Sequence, residues 1–205
     1  MHMMTPKGLG LFIMITGVTQ LIIFLIAPGH FTYRHLGRAW TARWYNIFNF
    51  LVVMLLAPAA SILLMKGYTR LFAITQVPMT SPALLTVLEI VGLFFYCLAL
   101  VMATSGRLSL GQNFQLGGLE PSPEAEFVRK GIYRFIRHPM YGSILYLLFG
   151  LGFLTQSYIF FMGFLFMFVI IIRLIPLEEN LLEAHFGPSY TEYRKRVKAL
   201  IPYIV

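Results

Sequence analysis

The run Gly131-Ile132-Tyr133-Arg134-Phe135-Ile136-Arg137-His138-Pro139-Met140-Tyr141 opens an apolar helical hairpin that ends in the acidic pair Glu178-Glu179. Cationic, imidazole and carboxylate groups therefore stand at both outer ends of one greasy helical pair. Ionisable groups at a membrane boundary are costly unless paired or functional, so this pattern points to a site for a polar cofactor beside the lipid.

Composition agrees with a membrane setting. Of 205 residues, 58% are hydrophobic and only 12% charged, and the mean hydropathy is +0.75. A soluble domain of this size carries far more charge. Five stretches approach the length of about 20 helical residues that a hydrocarbon core roughly 30 Å thick requires. They are Gly8 to Ala27, Asn46 to Met65, Ala83 to Thr104, Pro139 to Leu154 and Tyr158 to Ile175. The expected fold is all-α: a single polytopic membrane domain over 1–205 with about five transmembrane helices. Three spans occupy 1–104, and 105–205 forms the cofactor-binding and catalytic region. The first span is read as a retained helix, because its apolar run exceeds that of a signal peptide.

With the N-terminus outside, thirteen of the sixteen Lys and Arg residues fall on the inside, against Lys7, Lys66 and Arg70 outside. The positive-inside bias then places the C-terminus and the ionisable clusters on the cytoplasmic face. The net charge of +8 reads as topology and attraction to anionic membrane lipid, with no need for nucleic acid. Cys97 is the only cysteine, which excludes an internal disulfide and a cysteine metal cluster. No metal site is expected.

The last two spans are joined only by Thr155-Gln156-Ser157 and should form a tight antiparallel hairpin, with Gly142, Ser143, Gly150 and Gly152 allowing close approach of its helices. Such a hairpin leaves both outer ends on one membrane face, so His138 and Glu178-Glu179 should be neighbours. Pro139 suits a first helical position and puts His138 at the N-cap, where backbone N–H groups and the helix dipole favour an anion. Upstream, Gly106, Gly111, Gly117, Gly118, Pro121 and Pro123 mark the segment from Arg107 to Arg137 as irregular, with Glu120, Glu124 and Glu126 exposed. Downstream, Pro188 to Leu200 reads as an interfacial amphipathic helix with Tyr190, Tyr193 and Val197 on one face.

Each cluster also has a plainer reading. Arg134 and Arg137 serve equally as membrane anchors, with Tyr133 and Tyr141 in an interfacial aromatic belt. Pro176 can start a new helix, which would put Glu178 and Glu179 in a first turn favoured by carboxylates. The convergence of the two clusters is what favours a binding site.

These motifs, namely Gly131-Ile132-Tyr133, Arg137-His138-Pro139-Met140-Tyr141, Glu178-Glu179, and Phe186-Gly187 followed by Tyr190, Tyr193 and Val197, resemble the isoprenylcysteine carboxyl methyltransferases and related phospholipid methyltransferases of membranes. The resemblance covers residues 105–202 and includes Leu110-Gly111-Gln112-Asn113-Phe114. It implies a five-helix enzyme that binds S-adenosyl-L-methionine at its cytosolic face. The cofactor-binding residues it suggests are Tyr133, Arg137, His138, Pro139, Met140, Tyr141, Glu178, Glu179 and Tyr190. Arg173 and Glu178 are the candidates for the reaction itself. The implied acceptor is a lipid-like molecule entering from the bilayer, of the prenylcysteine carboxylate type, with phosphatidylethanolamine N-methylation as the alternative. The chain departs from its relatives at Ala125-Glu126, where many carry a histidine, and Arg173 is the candidate for an arginine that relatives place shortly before the acidic pair. A membrane sterol reductase using NADPH also shares features of this region, but a 2′-phosphate favours clustered Arg or Lys, and an acidic pair argues against it.

Overall fold

A computed structural model describes residues 5–27, 81–114, 121 and 123–200. The expected second span, 46–65, lies outside them, as do the basic residues counted around it and Gly117, Gly118 and Glu120. Among the described residues the chain is all-helical and multi-pass: α1 (Pro6–Ile26), α2 (Pro82–Leu110), α3 (Pro139–Thr155), α4 (Tyr158–Phe186) and α5 (Pro188–Arg196). Short 3₁₀ turns cover Gly111–Asn113 and Gly131–Arg134. The helices α1, α2 and α4 are long and apolar enough to cross a membrane, while α3 is apolar but shorter.

Proline begins α1, α2, α3 and α5, where its missing N–H is harmless and its fixed φ fits the helix. Thr5 and Ser81 complete the first two starts by accepting hydrogen bonds from Gly8 and Leu84. The exception is Pro176. It does not begin a helix, because α4 runs straight through it from Tyr158 to Phe186. One backbone hydrogen bond is lost there, yet Met167, Ile170, Ile171, Leu174, Ile175 and Glu179 form one buried stripe across the proline. Burial of that stripe holds the helix together, so Glu178 and Glu179 lie well inside a helix instead of in a first turn.

Two other boundaries differ from expectation. Helix α2 continues to Leu110, which makes Gly106 and Arg107 helical and buried instead of part of an irregular inside segment. Helix α5 stops at Arg196, after which the chain is extended. Lys198 pairs with Ile136 in a parallel bridge, and the N–H groups of Arg137 and His138 donate to Lys198 O and Ala199 O at 2.8 and 2.9 Å.

The glycines act differently from the expected hairpin packing. A Cβ on Gly150 would stand 2.7 Å from Tyr96 N, and one on Gly92 would stand 2.7 Å from Leu154 N, so the two glycines let the backbones of α2 and α3 touch. Gly142 likewise faces Met102 of α2, and only Gly152 faces α4, at Phe161. Contacts from Gly92 with Gly150 to Gly106 with Met140 run in opposite senses along the two helices, so α2 and α3 are antiparallel.

Helix α1 lies parallel to α2 and is joined to it by polar rungs in rising order. Thr16 Oγ1 and Tyr96 OH share a hydrogen bond of 2.6 Å, and Thr104 Oγ1 donates to Gln20 Oε1 at 2.9 Å. Arg107 donates to the carbonyls of Phe24 and Ala27. In lipid such polar groups must find partners within the protein. The ends of α1 and α2, the start of α3 and the last turns of α4 thus share one face of the molecule.

Candidate cofactor and methyl-transfer site

The 29 residues of α4 exceed the 17 of α3, which makes α4 longer by about 18 Å at 1.5 Å per residue. Its overhang passes His138 and carries the acidic pair to the foot of α3. His138 is the N-cap residue, but its side chain does not cap the helix. It turns to α4 instead, with Nε2 at 3.1 Å from Glu179 Oε1. A carboxylate can only accept, so Nε2 carries the proton in this contact. The other ring nitrogen, Nδ1, is 3.6 Å from Glu178 Oε2, which is too long for a hydrogen bond.

Glu179 is the hub of the cluster. Arg137 reaches its Oε1 through Nε and Nη2, both at 2.7 Å, and Arg194 of α5 reaches Oε2 at 2.9 Å. Arg137 also donates through Nη1 to the carbonyls of Arg194 and Val197. One guanidinium therefore ties α4, the end of α5 and the extended segment after it to the foot of α3. Arg194 extends the network to Glu183 at 3.4 Å, and Thr191 Oγ1 donates to Glu183 Oε1 at 2.7 Å.

The Tyr193 hydroxyl donates to Tyr133 O at 2.6 Å, fixing α5 against the Gly131–Arg134 turn. Beside it, Phe127 stacks on Phe186 with centroids 5.1 Å apart and lies 5.6 Å from Tyr190 and 5.2 Å from Tyr193. The Arg129 guanidinium stands 5.2 Å from the Phe127 ring centre. Burial pushes the Tyr190 phenol well above its ordinary pKa, with the Glu179 and Glu178 carboxylates adding to the effect against Arg137. Burial does the same to Tyr193 and Tyr133, the latter helped by Glu178. All three remain neutral hydrogen-bond donors at physiological pH.

Two buried atoms of this cluster are left over. Tyr190 OH and Glu178 Oε2 have no hydrogen-bond partner among the described residues. A buried polar atom without a partner is destabilising by about 1–3 kcal/mol unless a ligand or water satisfies it. A donor and an acceptor stand unspent next to an aromatic cluster and a fixed charge network. The same arrangement fits a nucleoside cofactor with a diol, a flat base and charged ends.

The predicted site residues are distributed unevenly. Tyr133, Arg137, His138, Glu178, Glu179 and Tyr190 come together, and Tyr141 stacks on His138 with centroids 5.4 Å apart. Pro139 and Met140 pack against Gly106 of α2. Arg173 is exposed, six residues before Glu179, which sets it on a different side of the helix at about 100° per residue. Sequence reasoning missed Phe127, a lone aromatic in a polar stretch, and Arg194, one of several basic residues on α5.

The phospholipid methyltransferase family model matches residues 87–189. The chain belongs to that family. The match runs from α2 into the first turn of α5 and contains His138, the acidic pair and the hairpin between them. A protein-S-isoprenylcysteine O-methyltransferase of Schizosaccharomyces pombe is 30% identical over 112 residues, covering 54% of this chain. The chain spans about half the length of that relative, 48% of it. The solved structure of a eukaryotic intramembrane Ras methyltransferase, isoprenylcysteine carboxyl methyltransferase, has a similar fold, with a TM-score of 0.54 and 22% identity over 94% of this chain and 74% of its own.

Proposed function

We propose that this protein transfers a methyl group from S-adenosylmethionine to a lipid-like acceptor at the cytoplasmic face of its membrane, and that the acceptor is a carboxylate of the prenylcysteine type. The unspent Tyr190 hydroxyl and Glu178 oxygen beside the Glu179 hub carry the reading. The similarity to the fission-yeast methyltransferase supports the acceptor class.

Bound S-adenosylmethionine would supply an electrophilic methyl group carried on a sulfonium. Glu178, with an unspent acceptor oxygen, suits the ribose diol. Tyr190 would donate to a polar group of the ligand, and the aromatic cluster of Phe127 and Phe186 would offer an apolar face to the base. The foot of α3, with Tyr141, would hold the ligand's carboxylate end. Glu179 has both oxygens engaged by Arg137, His138 and Arg194, so its part is to fix these groups and not to grip the ribose.

Methyl transfer to a carboxylate neutralises charge on the way to the transition state, so exclusion of water helps and no base is needed. A phospholipid acceptor fits the family's description, and one with an amine headgroup, such as phosphatidylethanolamine, must first lose a proton with a pKa of about 10. On that reading the unpartnered oxygen of Glu178 would have to serve as the base instead of holding the ribose diol. Arg173, exposed on an apolar stretch of α4, is where an acceptor carboxylate arriving through the bilayer would find its counter-charge.

Titration of the purified protein with S-adenosylhomocysteine and NADPH tests the cofactor, and stabilisation by NADPH alone would overturn the reading. Radiolabelled methyl donor offered with a prenylcysteine analogue and with phosphatidylethanolamine tests the acceptor. Preferential labelling of the amine lipid would make N-methylation the function. Labelling of the prenylcysteine that is indifferent to Arg173→Ala would remove that arginine from the site.

A further inference from the structure

Helix α2 ends in a device that neither the charge network nor the proposed chemistry uses. The Arg107 side chain is fully buried. Its guanidinium donates through Nη1 to Gly111 O at 3.2 Å and through Nη2 to the final carbonyls of α1 at Phe24 and Ala27. It also lies 4.2 Å from the centre of the Phe114 ring, which in turn meets Phe24 edge-on at 5.8 Å. One cation therefore neutralises the negative end of α1, holds the C-cap of α2 and clamps the 3₁₀ turn over Gly111–Asn113. The turn is positioned from inside the fold.

From that fixed turn Asn113 reaches across thirteen residues of sequence, its Oδ1 accepting a hydrogen bond from Glu126 N at 2.8 Å. The next residue is Phe127, the ring at the centre of the aromatic cluster formed with Phe186, Tyr190 and Tyr193. Phe127 is delivered by an irregular strip that has no helix of its own. A strip of this kind needs an anchor close to the residue it delivers.

We propose that Asn113 is a positioning residue: anchored by Arg107, its side-chain carbonyl pins the backbone at Glu126 and so seats Phe127 in the aromatic cluster of the proposed cofactor site. The proposal rests on the reading of that cluster as an S-adenosylmethionine site. Asn113 acts through Phe127 and touches no reacting group. Its effect falls on cofactor affinity and on the order of residues 124–129, and leaves acceptor binding unchanged.

The test compares wild type, Asn113→Ala and Asn113→Asp, the last of which retains the acceptor oxygen. Calorimetric titration with S-adenosylhomocysteine is expected to show about three- to tenfold weaker binding for Asn113→Ala, the scale of one hydrogen bond, and recovery in Asn113→Asp. In kinetics, KM for the methyl donor should rise while KM for the acceptor stays constant. Unchanged affinity in Asn113→Ala would overturn the proposal, as would equal weakening in both variants. Hydrogen exchange of residues 124–129 in the cofactor-free protein supplies a readout independent of ligand. If wild type binds no S-adenosylhomocysteine, the cofactor reading fails by itself. The anchoring then stands on faster exchange in Asn113→Ala that Asn113→Asp reverses, and falls without it.

Discussion

The two ends of the α3–α4 hairpin both bury polar groups and put them to opposite use. At the turn, Thr155 Oγ1 donates to Leu151 O at 2.7 Å, Gln156 Nε2 donates to Phe153 O at 2.9 Å, and Ser157 N donates to Gly152 O at 3.2 Å. Gln156 adopts a positive φ of 48° to close the loop. Every one of these groups is neutral and answers to nearby backbone. At the open end, Arg137, His138, Glu179 and Arg194 answer to one another across three segments, and Tyr190 OH and Glu178 Oε2 have no partner among the described residues. Burial of polar groups alone does not mark a site; unspent capacity beside fixed charge does.

The sharpest way to break this contrast is Glu179→Gln. Removing the carboxylate leaves the part-buried Arg137 without its counter-charge and the buried His138 without its acceptor, and loss of one partner from a buried pair destabilises by up to about 3–5 kcal/mol. A melt in detergent micelles should show a large fall in stability along with loss of S-adenosylhomocysteine binding. A melt close to wild type would mean that the network is solvated.

Gly150→Ala comes next. Its Cβ meets backbone at 2.7 Å, where no side chain can move aside, so the crossing of α2 and α3 must open. Overpacking of this kind is destabilising by about 1–3 kcal/mol. Gly152→Ala, which meets only the Phe161 ring, should be milder in the same denaturation assay.

Tyr190→Phe separates ligand binding from stability. The ligand-free protein should be at least as stable as wild type, because the hydroxyl that is removed is buried with no partner among the described residues and its desolvation is relieved. Cofactor affinity should fall by about 1 kcal/mol, the net value of a hydrogen bond. A drop in stability without loss of affinity would move this hydroxyl from the pocket to the scaffold. At the turn, Thr155→Val is the smallest change: stability within about 1 kcal/mol of wild type and unaltered titration with S-adenosylhomocysteine.

Much of the fold was legible because membranes impose simple rules. Apolar length gave α1, α2, α3 and the body of α4 to within a few residues at most of their ends. Proline positions marked the starts of α3 and α5. The convergence of His138 with Glu178-Glu179 followed from the shortness of the Thr155-Gln156-Ser157 turn, which left no other place for the outer ends. Pro176 misled for a definite reason: local propensity favours a break there, and only the buried stripe from Met167 to Glu179 shows why the helix continues. Glycine at hairpin positions signalled close packing, but whether the neighbour was α2 or α4 depends on the rotation of α3, which no local pattern encodes.

The sequence by itself determined that this is an all-helical membrane protein with a polar site at the foot of its last hairpin, because hydropathy, proline placement and loop length act locally along the chain. Tertiary structure alone decided the division of labour within that site. Glu178 and Glu179 are adjacent in sequence and identical in chemistry, yet successive helical residues point about 100° apart. That angle turns Glu179 toward Arg137 and His138 at the foot of α3 and Arg194 of α5, and leaves Glu178 with an oxygen to offer.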